Sequence, residues 1–221
     1  MRSFDPVAII GAGAFGTALA VAAARVGRAV ILYGRDAAQM ANIAHTRINA
    51  AYLPDIALPT SIQSTSNLSG ICDANLIILA TPAQTTRIMV EALKLIIKPN
   101  VPIIITAKGI ERETGLYPSN IASQILPNNP IALLSGPSFA ADVARGLPTA
   151  VALACMDVNL AERLAKALNS NTFRIYHTSD TRGVEIGGAA KNVLAIAAGI
   201  VEGQDLGQSA KATLKIGRAH V

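Results

Sequence analysis

The 221-residue chain contains no tryptophan, and its aromatic residues amount to only 4%. Such a core must be filled by small and aliphatic side chains. With about 40 alanines, this favours small-residue helices packed on a sheet. Charged residues are also scarce, at 15% against 51% hydrophobic, which excludes an extended disordered chain. Only two cysteines occur, Cys72 and Cys155, far apart and in no metal or redox spacing. That excludes a disulfide framework and leaves free buried thiols in a reducing cytosol as the expectation. No apolar signal core opens the chain, and no apolar run reaches the roughly 18 residues of a membrane span. A cytoplasmic protein with no membrane span is expected. The net charge of +5 and pI of about 9.5 suit an anionic ligand. Because Lys and Arg are scattered and not interleaved with aromatics, nucleic acid ranks well below a small phosphorylated substrate. A homodimer is left open.

Short apolar runs alternate with helix-like segments along most of the chain. Val7-Ala-Ile-Ile10 is cut by Gly11, an alanine-rich stretch follows to Val26, and Ala29-Val-Ile-Leu-Tyr33 makes a second strand. Strand, helix and strand at this spacing form a βαβ unit with parallel strands. Further strands are expected at Leu76-Ile-Ile-Leu-Ala80, Pro102-Ile-Ile-Ile-Thr106, Ile131-Ala-Leu-Leu134, Ala150-Val-Ala-Leu-Ala154 and Phe173-Arg-Ile-Tyr176. Helices are expected over 85–97 and 160–168. Continuous apolar strands of this kind are covered on both faces, so the fold class is α/β, a Rossmann-like doubly wound sheet. From 183 to about 201 the sequence predicts one long helix, the start of an all-helical C-terminal domain. The expected division is a dinucleotide-binding domain over 1–181 and a helical fragment over 182–221.

Gly11-Ala-Gly-Ala-Phe-Gly16 follows the first strand and opens the first helix. In such a turn Gly11 makes the tight bend, Gly13 lets the backbone approach a pyrophosphate, and Gly16 permits close helix packing. The helix N-terminus adds free amides and partial positive charge. At the end of the second strand, an NAD-selective site usually carries Asp or Glu. This chain reads Tyr33-Gly34-Arg35-Asp36. A guanidinium at 35 suits a 2′-phosphate and hence NADP. Asp36 keeps NAD open, and Arg35 as a solvated loop cation is the alternative.

Ligands of an open parallel sheet gather outside the carboxyl ends of its strands. Lys108, directly after a strand, can hold an anionic or carbonyl-bearing substrate; an ordinary loop lysine is the alternative. Ser135-Gly136-Pro137-Ser138 offers amides and a hydroxyl to an oxyanion, or is a plain turn. Lys191 is the only charge in Gly187-Gly-Ala-Ala-Lys-Asn-Val-Leu-Ala-Ile-Ala-Ala-Gly199. Gly187, Gly188 and Ala195 leave room beside it on the helix. Burial there would lower its pKa toward the range useful for acid–base work, whereas a snorkelling lysine would stay solvated.

Six ordered segments carry a resemblance: Gly11-Ala-Gly-Ala-Phe-Gly-Thr-Ala18, Asn49-Ala-Ala-Tyr-Leu-Pro54, Ala107-Lys-Gly-Ile110, Leu134-Ser-Gly-Pro-Ser-Phe-Ala140, Gly146-Leu-Pro-Thr-Ala150 and Gly187-Gly-Ala-Ala-Lys-Asn-Val193. Together, over residues 6 to about 214, the chain resembles bacterial-type NAD(P)-dependent glycerol-3-phosphate dehydrogenase. The resemblance implies hydride transfer between the nicotinamide and dihydroxyacetone phosphate or sn-glycerol 3-phosphate, for phospholipid synthesis. It places Ala14, Phe15 and Arg35 against the dinucleotide, Ala140 near its nicotinamide end, and Tyr52 in the cofactor pocket. It gives Lys108 contact with cofactor and substrate, and Gly136 and Ser138 contact with substrate. Lys191 becomes the proton donor to the carbonyl oxygen. Residues 215–221 depart from the pattern, so the chain reads as a C-terminally truncated copy lacking a Ser-Arg-Asn phosphate clamp. The other readings are an NADP(H)-binding module without turnover and a related Rossmann reductase for another small acid.

Overall fold

The computed structural model describes residues 4–217. Strand β1 (Val7–Ile10) is aliphatic throughout and fully buried, so it can lie only at the centre of a sheet covered on both faces. It leads through the glycine turn into α1 (Ala14–Arg25), whose small side chains let the helix settle close to the strands. Next come β2 (Val30–Tyr33), α2 (Ala37–Thr46), the antiparallel ribbon β3 (Ile48–Asn49) and β4 (Leu53–Ala57), and β5 (Ile62–Thr65). The second half runs β6 (Leu76–Leu79), α3 (Thr86–Lys94), β7 (Ile103–Ile105), α4 (Pro118–Ile125), β8 (Ile131–Ser135), α5 (Ala140–Arg145), β9 (Thr149–Cys155), α6 (Val158–Leu168) and β10 (Phe173–Thr178). Helices α7 (Thr181–Gly203) and α8 (Gly207–Gly217) follow.

The eight-stranded sheet has the order β10-β9-β8-β7-β6-β1-β2-β5. The chain leaves β1 in one direction to β2 and β5, then returns to the other side for β6, β7 and β8. The resulting switch point between β1 and β6 is where a doubly wound sheet opens a crevice for ligands. Two apolar cores fill the faces. One holds Ile9, Leu32, Ile78 and Ile104 under α1, and the other Ile10, Ile77, Leu79 and Ile105 under α3 and α4.

The structure departs from the expected parallel sheet at β9, which pairs antiparallel with β8, Ser135 opposite Ala152. Helix α5, with six residues and a length of about 9 Å, packs on α1 and does not carry the chain back across the sheet. Arg25 of α1 fixes this arrangement by donating to the carbonyls of Val143 and Ala144, at 3.2 and 2.7 Å. Strand β9 therefore begins beside the carboxyl end of β8 and brings Ala150 and Val151 to the site. Two further corrections concern exposure. Cys155 is buried but Cys72 is exposed, and Lys191 is exposed, not enclosed. The expected helix over 85–97 is α3, shorter and preceded by a 3-10 turn at Ala83–Thr85.

No single helix among the described residues is long and apolar enough to cross a membrane. The two halves of α7, bent by 42° about position 192, reach that length and composition only together. Of the off-pattern C-terminal stretch, 218–221 lies outside the described residues.

Candidate functional site

A cleft of about 820 Å³ opens at the carboxyl ends of β1, β2, β6 and β7. Its floor is the glycine turn. Gly11 has φ +114°, and a Cβ there would lie 2.5 Å from the Ala80 carbonyl oxygen; at Gly16 it would lie 1.8 Å from that of Gly11. Any side chain at either position would force the turn apart. At Gly13, by contrast, a Cβ would meet nothing within 4 Å, so this backbone is bare toward the cleft. Gly13 also caps α1, and the first-turn amides of Ala14, Phe15 and Gly16 have no intrahelical acceptor. Bare backbone, free amides and a helix N-terminus together make an anion cradle.

One end of the cleft is closed by Tyr33, Gly34, Arg35 and Gln39, with Tyr52 from the β3–β4 ribbon. Arg35 is exposed, its guanidinium free to meet a ligand phosphate, while Asp36 caps α2 by accepting from the Gln39 N–H at 3.0 Å. At Gly34 a Cβ would lie 2.5 Å from the Met40 sulfur and 2.9 Å from the Ala12 Cβ, so a side chain there would have to displace Met40 and Ala12. The middle is lined by Thr81 and Pro82, and the hydroxyl of Thr81 is buried with no protein partner among the described residues.

The other end holds Lys108, Ser138, Phe139 and Ala140. Lys108 Nζ donates to the Gly136 carbonyl at 3.4 Å. Desolvation by the surrounding protein, and then the like charge of Lys191, hold the ammonium of the exposed Lys108 below the ordinary lysine range. The loop behind Lys108 is stapled to α3 and the turn before it: Gln84 of the turn donates to the Ile110 carbonyl at 2.8 Å and accepts from Arg112 N–H at 3.1 Å. Arg87 meets Glu111 through two bonds of 3.0 and 2.7 Å. Helix α7 approaches the same loop through Gly188, where a Cβ would lie 3.5 Å from both Lys108 Cγ and Ser135 Oγ. Glu185 anchors this helix by accepting from both the N–H and hydroxyl of Ser119 at the start of α4.

Thus Gly11, Gly13, Ala14, Phe15, Arg35, Tyr52, Lys108, Ser138 and Ala140 all line one cleft. Gly16 lies beneath it, Gly136 beside Lys108, and Lys191 on the adjoining helix, exposed, yet near enough to influence the Lys108 ammonium. Sequence reasoning missed Gln39, Met89 and Phe139 in the lining, and Asn49 behind the turn. The groups that Asn49 donates to lie 32 and 37 residues away, and Gln39, which donates to it, ten, so only its place in the Asn49–Pro54 segment hinted at a role.

Residues 6–161 match the family model described as NAD-dependent glycerol-3-phosphate dehydrogenase N-terminus, and residues 180–218 match its C-terminus counterpart. The chain belongs to this family. Among glycerol-3-phosphate dehydrogenases [NAD(P)+], it is 53% identical over 214 residues to that of Azorhizobium caulinodans, covering 97% of this chain and 65% of the relative. Identity to the Rhodopseudomonas palustris enzyme is 49%, with the same coverage. The crystal structure of glycerol-3-phosphate dehydrogenase from Coxiella burnetii superposes with a TM-score of 0.88 at 33% identity, over 95% of this chain and 65% of that one. The chain therefore spans 65% of the length of these glycerol-3-phosphate dehydrogenase relatives.

Proposed function

We propose that this chain carries the dinucleotide-binding part of an NAD(P)-dependent glycerol-3-phosphate dehydrogenase. Its reaction would be reversible hydride transfer between NAD(P)H and dihydroxyacetone phosphate. The observation that carries the reading is the cleft itself, with a bare glycine turn at its floor, a guanidinium at one end and two neighbouring lysines at the other. A dinucleotide fits these residues. Gly13, Ala14 and Phe15 hold the pyrophosphate with backbone N–H groups, Arg35 meets a 2′-phosphate, and the unpartnered Thr81 hydroxyl has a polar ligand to bond. The bound nicotinamide supplies or takes up the hydride.

The remaining work falls to side chains of this protein. Lys108, beside Gly136 and Ser138, binds the phosphorylated substrate, whose negative charge offsets the repulsion between Lys108 and Lys191. Lys191 gives its proton to the carbonyl oxygen during reduction and recovers it during oxidation. Ala140 borders the nicotinamide end, and Tyr52 the opposite one. Free thiols and a reducing cofactor suit the cytoplasm. The domain division proposed is 1–181 for the cofactor and 182–221 for the start of the substrate domain.

The test is NADPH oxidation driven by dihydroxyacetone phosphate, in this chain joined to the C-terminal remainder of the Azorhizobium relative. Lys191→Ala should lower turnover by about 10²–10⁴, the usual span for a lost general acid, with little change in NADPH affinity. Near-normal turnover would remove Lys191 from the chemistry.

A further inference from the structure

Asn49 is a polar side chain with 1% exposure, and none of the roles assigned above uses it. It sits on β3, behind the glycine turn. Its Nδ2 donates to the Ala12 carbonyl at 3.0 Å and to Thr17 Oγ1 at 2.8 Å. Its Oδ1 accepts from Gln39 Nε2 at 3.1 Å, and the same Nε2 donates to the Ala12 carbonyl, also at 3.1 Å. Both donor hydrogens of each amide are used, and both lone pairs of one turn carbonyl are filled. Burying an amide is costly unless its groups are satisfied, and here that satisfaction converges on a single peptide unit.

The peptide geometry gives this convergence a consequence. In a planar trans peptide the C=O and the following N–H point in opposite directions. Holding the Ala12 oxygen inward, on Asn49 and Gln39, turns the Gly13 N–H outward to the cleft. That N–H has no protein acceptor among the described residues. Two donors on the carbonyl also polarise the peptide and strengthen its N–H as a donor. A turn free to flip this peptide would present a carbonyl oxygen to the ligand phosphates, where it repels.

We infer that Asn49 and Gln39 are positioning residues that fix the Ala12–Gly13 peptide so that its N–H faces the ligand pyrophosphate. The inference rests on the dinucleotide reading of the cleft. It assigns a function to the β3–β4 ribbon, which is to hold the phosphate turn as well as to carry Tyr52. It also separates two neighbouring subsites: Asn49 serves the pyrophosphate, whereas Arg35 serves the 2′-phosphate.

The experiment measures dissociation constants of NADPH and of adenosine 2′-monophosphate, which has the corner phosphate and no pyrophosphate, by calorimetry on the 221-residue chain. Asn49→Leu should weaken NADPH by about tenfold to a hundredfold, the range for buried bonds to a charged ligand site. Adenosine 2′-monophosphate should change by less than about twofold. Gln39→Met, at a half-buried position that tolerates the change, should weaken NADPH about threefold to tenfold. Thr17→Val removes one bond of the network and leaves the Ala12 carbonyl held, so NADPH affinity should stay within about threefold. Equal losses for both ligands, or a Thr17→Val loss matching that of Asn49→Leu, would mean general packing and overturn the inference. Unchanged NADPH affinity in both Asn49→Leu and Gln39→Met would overturn it as well. Failure of the wild-type chain to bind NADPH would instead overturn the dinucleotide reading beneath it.

Discussion

Single residues decide what the cleft can accept. At Gly34 the Met40 sulfur and the Ala12 Cβ occupy the space an acidic side chain would need, and Ala12 belongs to the phosphate turn itself. Discrimination between the two cofactors then falls on Arg35, next along the chain and exposed. Arg35→Glu should weaken NADPH more than NADH, by tenfold or so for a lost charge-assisted pair made repulsive. Calorimetric titration with each cofactor checks this, and equal losses would release Arg35 from the 2′-phosphate. At the other end of the cleft, desolvation and then the like charge of Lys191 depress the Lys108 pKa, so the folded chain disfavours the protonated form. That cost is present at low and neutral pH and relieved as the pH rises through the alkaline range, unless an anionic ligand offsets it first.

The position of Lys108 depends on how its loop docks on α3 and the turn before it. Arg87, and then Thr114, bond the Glu111 carboxylate and hold it below the ordinary carboxylate range, although Glu111 is only 8% exposed. A depressed carboxyl contributes stability above its unfolded pKa and loses it as the pH falls through the folded one. The docking should therefore weaken in acid, below the ordinary glutamate range. Thermal unfolding against pH should show Glu111→Gln less stable than wild type at neutral pH, with the two converging in acid; a constant gap would sink this assignment. The elements also show what a sequence can announce. Strands β1, β6 and β7 are continuous aliphatic runs, so composition alone marks them as buried on both faces. Strand β5 reads Ile62-Gln-Ser-Thr65, a polar edge strand with no such signal. The β3–β4 ribbon is interrupted by Pro54 and Asp55, and without it the role of Asn49 was invisible. The direction of β9 was hidden because it depends on where α5 packs. The exposure of Lys191 was missed for a related reason, since small neighbours on a helix make room without supplying cover.

Over the whole molecule, apolar cores cover both faces of the mixed sheet, while α7 presents an open face. Val193, Ile196 and Ile200, spaced at three and four along the helix, are 69%, 65% and 58% exposed. An apolar stripe at that spacing marks an interface or an aggregation site. Sedimentation velocity should show concentration-dependent association of the 221-residue chain, reduced by Ile196→Lys with Ile200→Lys. A monodisperse wild-type monomer would contradict this. Amide chemical-shift mapping decides whether the cleft between the β1 and β6 ends is a dinucleotide site. On titration with NADPH, the largest shifts should fall at Gly13, Ala14, Phe15, Arg35 and Lys108, with the far groove between α6 and β10 undisturbed. Shifts centred on Arg174, Tyr176 and His177, or none at the glycine turn at saturating NADPH, would contradict it.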